Sequence, residues 1–311
     1  MKKLRFKILM ATIVAVMLLT CVFVINAFAE GSTSRVTFVQ NGASTYSKIV
    51  AEGDSITLPT PEARIGGTVY GWFDRDGNFY ECGESITPTK SVTLYCAEGA
   101  EIALSGSLPL SISKGFNYIK LNSNISLTSK IELPDGIYYI DLNGNNFFFE
   151  TEADGFVGEN FGLILANSSS EKSTLTHIAG GEEAFSLNSL ISISPNTTIS
   201  NLSFVIKDGV SVKENMNLIS VQKDISSYAG ALSIQLYGEL ESGKIIRSTG
   251  ISGATFTVYD GAKLTTDCEY YFDDVVEESN GVAATLIIYG GEFYVNNTTS
   301  YASDTTKFRA L

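Results

Sequence analysis

The sequence predicts an all-β protein assembled from similar layers, and three observations predict it. In the stretch 131–149, IELPDGIYYIDLNGNNFFF, alternating apolar runs are separated by Pro134-Asp135-Gly136 and by Asn143-Gly144. Period-2 alternation bounded by Asp-Gly and Asn-Gly reads as strand, turn, strand, turn, strand. The apolar–x–Gly–x–apolar corner of that stretch recurs at 236–240, 258–264 and 288–293. Composition agrees: 28 Gly stand against 6 Pro, with 15 Tyr and 18 Phe beside one Trp, a balance that suits strands and turns. At 311 residues and 44% hydrophobic, the chain has room for two domains and a sizeable core.

The chain opens on a targeting segment, residues 1–29. Lys2, Lys3, Arg5 and Lys7 precede an apolar run at 8–25, and Ala27-Phe28-Ala29 follows. Small residues at −3 and −1 fit signal-peptidase cleavage between Ala29 and Glu30. The run also approaches membrane-spanning length, so an uncleaved anchor is the competing reading. A lipoprotein reading through Cys21 fits less well, because cleavage would fall inside the apolar run. Export is expected, and the membrane is a partner only through the leader before cleavage. The full-chain net charge of −13 becomes −17 once the four basic residues leave. Such acidity disfavours nucleic acid or an anionic membrane as partner.

Residues 30–99 read as a small β domain. Strands are expected at 36–39, 47–51, 56–59, 68–73, 79–80 and 91–95, with turns at Asn41-Gly42, Gly53-Asp54 and Asp76-Gly77. Asp74-x-Asp76-Gly77-Asn78 has a calcium-loop look, but Gly falls at position 4 where an EF-hand needs it at 6. A solvated hairpin turn is the expectation. Trp72 is expected in the core, the alternative being a surface ring that stacks on a sugar with Tyr70 and Tyr80. Export leaves Cys82, Cys96 and Cys268, too few for a disulfide scaffold. Cys82 and Cys96 are a candidate bridge if they face each other on neighbouring strands, and free thiols otherwise.

The order Val-Thr-Phe, Asn-Gly, Gly-Asp, Leu-Pro, Tyr-Gly-Trp-Phe, Asp-Gly, Val-Thr-Leu-Tyr across residues 35–97 resembles the Listeria–Bacteroides repeat. This is the B-repeat of internalin-type surface proteins, a small β-grasp-like module. The resemblance implies an extracellular or cell-envelope bacterial protein, with the module as spacer or interaction unit and no catalytic residue. Two features depart from it. Cys96-Ala97-Glu98 replaces the usual closing Trp, and a single copy is present where spacers come in tandem.

From 100 to 311 the strand signals continue at 118–121, 125–127, 131–133 and 140–142, then near Ile164, Ile191, Ile219, Ile234, Phe256 and Ile287. Steps of mostly 20 to 31 residues between Gly or Asn corners are what a solenoid leaves in a sequence. Inward apolar ladders would alternate with polar outward residues. Tight corners need positive φ, hence Gly144, Gly238, Gly261 and Gly290-Gly291, with Asn143, Asn145 and Asn146 tolerating or laddering them. About eight rungs of roughly 24 residues would make a rod of ~40 Å. The run 118–149 resembles the entry of right-handed parallel β-helix domains in pectate-lyase-like surface proteins. A β-sandwich is the alternative, since alternation alone does not separate the two. The stretch 103–116 is the expected N-terminal cap.

That second likeness includes polysaccharide lyases and hydrolases, so chemistry must be weighed. Asp273-Asp274 would point to opposite faces of a strand. Lys244 and Arg247 lie near Glu239 and Glu241 in sequence without any sign of convergence. The acidic run 273–278 reads as a solvated loop, with weak divalent-ion binding as the minor reading. His177, the single histidine, has no nucleophile motif nearby and reads as an ordinary surface or rung position. No catalytic, cofactor or metal residue is assigned. The expectation is an exported, non-catalytic, adhesin-like scaffold that contacts an extracellular glycan or protein; a polysaccharide-binding or polysaccharide-degrading β-helix is the alternative.

Overall fold

The computed structural model describes residues 32–40, 45–99, 115–151, 153–178, 188–194, 202–221, 231–248, 253–266, 272–274 and 283–295. Every regular element among them is a strand. No helix among the described residues is long and apolar enough to cross a membrane. The leader with its Ala29/Glu30 site, Cys268, most of the expected cap and most of the acidic run lie outside the described residues.

Residues 32–99 form a five-stranded sheet from β1 (Thr33–Val39), β2 (Tyr46–Ala51), β4 (Thr68–Phe73), β5 (Phe79–Tyr80) and β7 (Val92–Gly99). Its order is β2-β1-β7-β4-β5, with the first and last strands parallel at the centre and the other pairs antiparallel. A two-residue ladder joins β3 (Ile56–Thr57) to β6 (Ser85–Ile86). The short β6 was not expected, because two residues are too few to show a period. Alternation divides the sheet's side chains between two buried faces. Val36, Phe38, Trp72, Leu94 and Cys96 form the inner core with Leu58. Trp72 is 1% exposed, meets Phe38 edge-on at 5.0 Å, and its indole N–H donates to the Pro59 carbonyl at 2.8 Å. Those contacts make Trp72 a core residue and end the sugar-stacking alternative for it.

From residue 118 onward the chain runs as successive rungs. The first is β8 (Tyr118–Lys120), β9 (Ile125–Leu127) and β10 (Ile131–Leu133), and the second β11 (Gly136–Asp141), β12 (Phe147–Phe149) and β13 (Phe156–Gly158). The third is β14 (Phe161–Ala166), β15 (Ser173–His177) and β16 (Ser189–Ile193). In the fourth and fifth, the second and third strands fuse, giving β17 (Leu202–Ile206) with β18 (Val210–Val221), then β19 (Ala231–Leu236) with β20 (Glu239–Ser248). The sixth has β21 (Gly253–Val258), β22 (Lys263–Thr266) and β23 (Phe272–Asp274), and the seventh β24 (Ala283–Ile288) and β25 (Glu292–Val295). Each strand pairs in parallel with its counterpart one rung away, as in β8–β11–β14–β17–β19–β21–β24. Hairpins of a β-sandwich would pair sequence neighbours antiparallel. None of these ladders does; among the described residues the sheets are parallel from rung to rung, the pairing that suits a β-helix-like stack.

Interior ladders explain why these residues stack. Ile119, Ile140, Leu165, Ile206, Leu236 and Val258 fall in register along one sheet. Ile125, Phe147, Leu175, Val212, Leu240 and Leu264 do so along the next. All of them are buried in one core. Seven rungs are described where about eight were expected, and their spacing is irregular. The register partners Tyr118, Tyr139, Ile164, Val205, Gln235, Thr257 and Ile287 lie 21, 25, 41, 30, 22 and 30 residues apart. Six strand spacings correspond to roughly 29 Å, shorter than the expected rod.

The corners are held by asparagine. Asn143 (φ 47) and Gly144 (φ 78) both take the left-handed conformation. The Asn143 and Asn145 amides donate to the Leu121 carbonyl one rung back, and Asn167 Oδ1 accepts the Gly144 N–H at 2.9 Å. Asn124 and Asn167, both in glycosylation sequons, are thus tied into corner hydrogen bonds. Gly261 and Gly291 also have positive φ, as expected, whereas Gly238 and Gly290 do not. Gly238 is required by space: a Cβ there would run into the carbonyl oxygens of Lys207 and Val210.

The second face of the small domain packs against the outer side of β8, β11, β14 and β17. Phe73 and Ala97 share a buried cluster with Tyr118, Tyr139, Ile164, Ala166 and Val205. Phe73 and Tyr139 rings stand 5.3 Å apart, and Tyr118 and Tyr139 stack at 5.6 Å. The 74–78 turn completes the contact, which corrects the expectation of a solvated hairpin. Asp74, only 6% exposed, accepts from the Asp76 and Asn78 N–H groups and from the Tyr80 hydroxyl. The turn so fixed receives Ser203 Oγ on the Arg75 carbonyl at 3.3 Å and Gln235 Nε2 on Asp76 Oδ1 at 3.0 Å. At the base of the seam, Arg64 pairs with buried Glu98 at 2.7 Å and also donates to the Gly115 carbonyl.

Candidate functional site

Two surfaces on the stack are candidates for contact. The first continues the outer side of the sheet beyond the docked domain, at β19, β21 and β24. There the apolar outward residues of the early rungs give way to Ser233, Thr255 and Thr285 in one register column. Beyond the strand ends, Tyr237, Tyr259 and Tyr289 follow one another from rung to rung. Tyr237 and Tyr259 rings stack at 4.0 Å and 8°, and Tyr259 and Tyr289 approach at 5.5 Å. Gln235 orders the row: its Oε1 accepts the Tyr237 hydroxyl at 3.1 Å, while its amide is held by Asp76. Lys207 lies 4.5 Å over the Tyr237 ring at one end, and Tyr289 at the other is 68% exposed. The result is a hydroxyl-rich shelf with an aromatic rim, beside the seam between the two parts.

The second is a cleft of about 740 Å³ along β10 and β13, lined by Ile131, Leu133 and Val157 with Lys130, Glu132, Asp135 and Glu159. Its three carboxylates are on exposed residues. Glu132 is paired with Lys130 at 3.2 Å. No period or motif in the sequence marks this cleft, since its walls come from two rungs.

The residues weighed for chemistry lie on β20 and β23. Asp273 and Asp274 lie on β23, in backbone register with Arg247 and Ser248. Glu239 is ion-paired with Lys172, whose hydrogen bond holds its carboxyl below the usual range, and Glu241 faces Lys213 at 3.9 Å. Among the described residues no three His, Cys, Asp or Glu side chains group closely enough to hold a metal ion. Cys82 and Cys96 are both thiols, half-buried and buried. The bridge required neighbouring strands, but β4 lies between β5 and β7. Cys82 follows β5 while Cys96 lies on β7, and both pack in the module's inner core. Burial pushes the Cys96 thiol up to about 12, with the Glu98 charge next in effect.

His177 is a rung position, but an interior one. Both it and Glu214 have fully buried side chains, and its Nδ1 meets Glu214 Oε2 across the β15–β18 ladder. Its Nε2 meets the Ala153 carbonyl at 2.8 Å. Sequence reasoning missed this pair because the partners are 37 residues apart.

Comparison with known proteins identifies one segment. Residues 35–97 match the family model of the Listeria-Bacteroides repeat domain. No curated protein and no solved structure matches the chain. The repeat covers the small domain, and it is a module typical of bacterial surface proteins.

Proposed function

We propose that the chain is an exported bacterial surface or secreted protein, cleaved between Ala29 and Glu30, in which a β-grasp-like repeat (30–99) clamps the side of a right-handed parallel β-helix (100–311). It works without catalysis, as an adhesin-like scaffold that presents the hydroxyl and tyrosine shelf to an extracellular glycan or protein. The observation that supports this most is how the outer sheet face is divided. Its apolar early rungs are occupied by the chain's own repeat module, and Ser233, Thr255, Thr285 and the tyrosine row are left for contact. A glycan array probed with the mature chain tests it. Binding weakened by Tyr289→Ala supports the shelf, and binding that ignores this substitution removes it.

A second reading, a polysaccharide-binding or polysaccharide-degrading protein, is favoured by the cleft that carries Glu132, Asp135 and Glu159. General acid–base cleavage needs carboxylates that converge on one bond with matched pKa values. Release of unsaturated or reducing ends from uronic-acid polymers in the presence of calcium, lost in Glu132→Gln or Glu159→Gln, would establish this reading over the scaffold.

A further inference from the structure

We infer that His177 and Glu214 form a proton-held latch inside the stack, which ties the third rung to the fourth and releases as pH rises. Three independent observations place it. The register column Leu127, Phe149, His177, Glu214, Ser242, Thr266 begins apolar and turns polar at His177. His177 is 0% and Glu214 3% exposed. The ladder register slips between Glu214 and Asn217, so the latch sits where β18 bends.

The partners fix the proton count. A backbone carbonyl can only accept, and it faces Nε2. A carboxylate faces Nδ1. A neutral imidazole carries one N–H, and its other nitrogen would then set a lone pair against one of these oxygens. Two protons must therefore lie between the ring and its two partners, as imidazolium with carboxylate or as imidazole with carboxylic acid. Either form gives up one proton when the latch opens. The other groups that face the ring are the Phe149 edge, 5.8 Å away, and the Asp154 charge, whose carboxylate is engaged by Ser189.

Burial pulls the His177 pKa down. The Glu214 hydrogen bond and charge, the Ala153 carbonyl and the Asp154 charge together outweigh it, and the net shift is upward. The folded pKa thus lies above the value of about 6.5 for an unfolded histidine. Stability from the pair is fully present below about 6.5 and is lost as pH rises through the folded pKa. The device is closed below about pH 6.5 and loosens as pH rises through the folded value.

The chain has one histidine, so a nuclear magnetic resonance titration of the tag-free mature protein reports this ring alone. The expected result is an imidazole that stays protonated above pH 6.5. The thermal midpoint should lose the pair's contribution above about pH 6.5 as the proton leaves, with amide exchange in β15 and β18 rising over the same interval. Glu214→Gln should move the titration downward and remove that fall. A wild-type ring that titrates at or below 6.5 overturns the latch. So do wild-type and Glu214→Gln midpoints that run parallel from pH 6 to 10. If the variant does not fold, the wild-type titration still decides.

Discussion

Replacing Phe73 by alanine should detach the repeat module from the stack while leaving the module's own core in place. Phe73 and Trp72 are adjacent on β4 and point to opposite faces, Trp72 into the module and Phe73 onto Tyr139, Ile164 and Val205. Phe73 is 0% exposed, and truncating a fully buried Phe costs about 3–5 kcal/mol. Its ring contacts with Tyr139 at 5.3 Å and Tyr95 at 5.8 Å account for about 1–3 kcal/mol of that. A domain of some 60 residues is marginal to begin with, so the loss is comparable to its whole stability. Calorimetry should show one transition for the wild type. In Phe73→Ala a module transition should split off at lower temperature, at about 4–8 °C per kcal/mol lost. Hydrogen exchange should rise in β4 and β7 and at the uncovered outer side of β11 and β14. A single transition within about 2 °C of wild type would refute the reasoning.

Two further outcomes are expected. Asp141, 2% exposed, accepts from the Asn143 and Ser168 N–H groups at 3.0 and 2.9 Å. Asp141→Ala strands both donors at about 1–3 kcal/mol each. Asp141→Asn keeps the oxygen that accepts both and changes only the one that meets Tyr118 and Lys120, so its urea midpoint should fall less. Alkylation of the native protein at pH 8 should modify Cys82 slowly and Cys96 not at all, and both after unfolding. Peptide mass spectrometry reads this, and native labelling of Cys96 would contradict its burial.

Much of the module and of the first two rungs was legible. Alternation at 36–39, 68–73 and 131–149 exposed the strands, and Asn143-Gly144 exposed the corner. The later rungs were harder, for a physical reason. Period-2 patterns report which residues face inward, but they do not say which of the three columns a strand joins. Ile191 and Ile219 were placed in one series with Ile164 and Ile234, although they belong to the neighbouring sheet. The seam, the cleft and the His177–Glu214 pair were illegible, because each joins residues that only the stacking brings together.

The seam also bears on how the chain reaches this structure. The module's face and its 74–78 turn meet Tyr118, Tyr139, Ile164, Val205 and Gln235, which belong to five consecutive rungs. The Asp76–Gln235 contact closes a separation of 159 residues, so it cannot form before the fifth rung exists, and contacts of such range fold slowly. Parallel strands of similar sequence are free to mispair by one repeat. A chain that skipped or doubled a rung would offer the module the wrong side chains at the wrong heights. Complete docking of the N-terminal module therefore requires all five rungs to be paired in their present register.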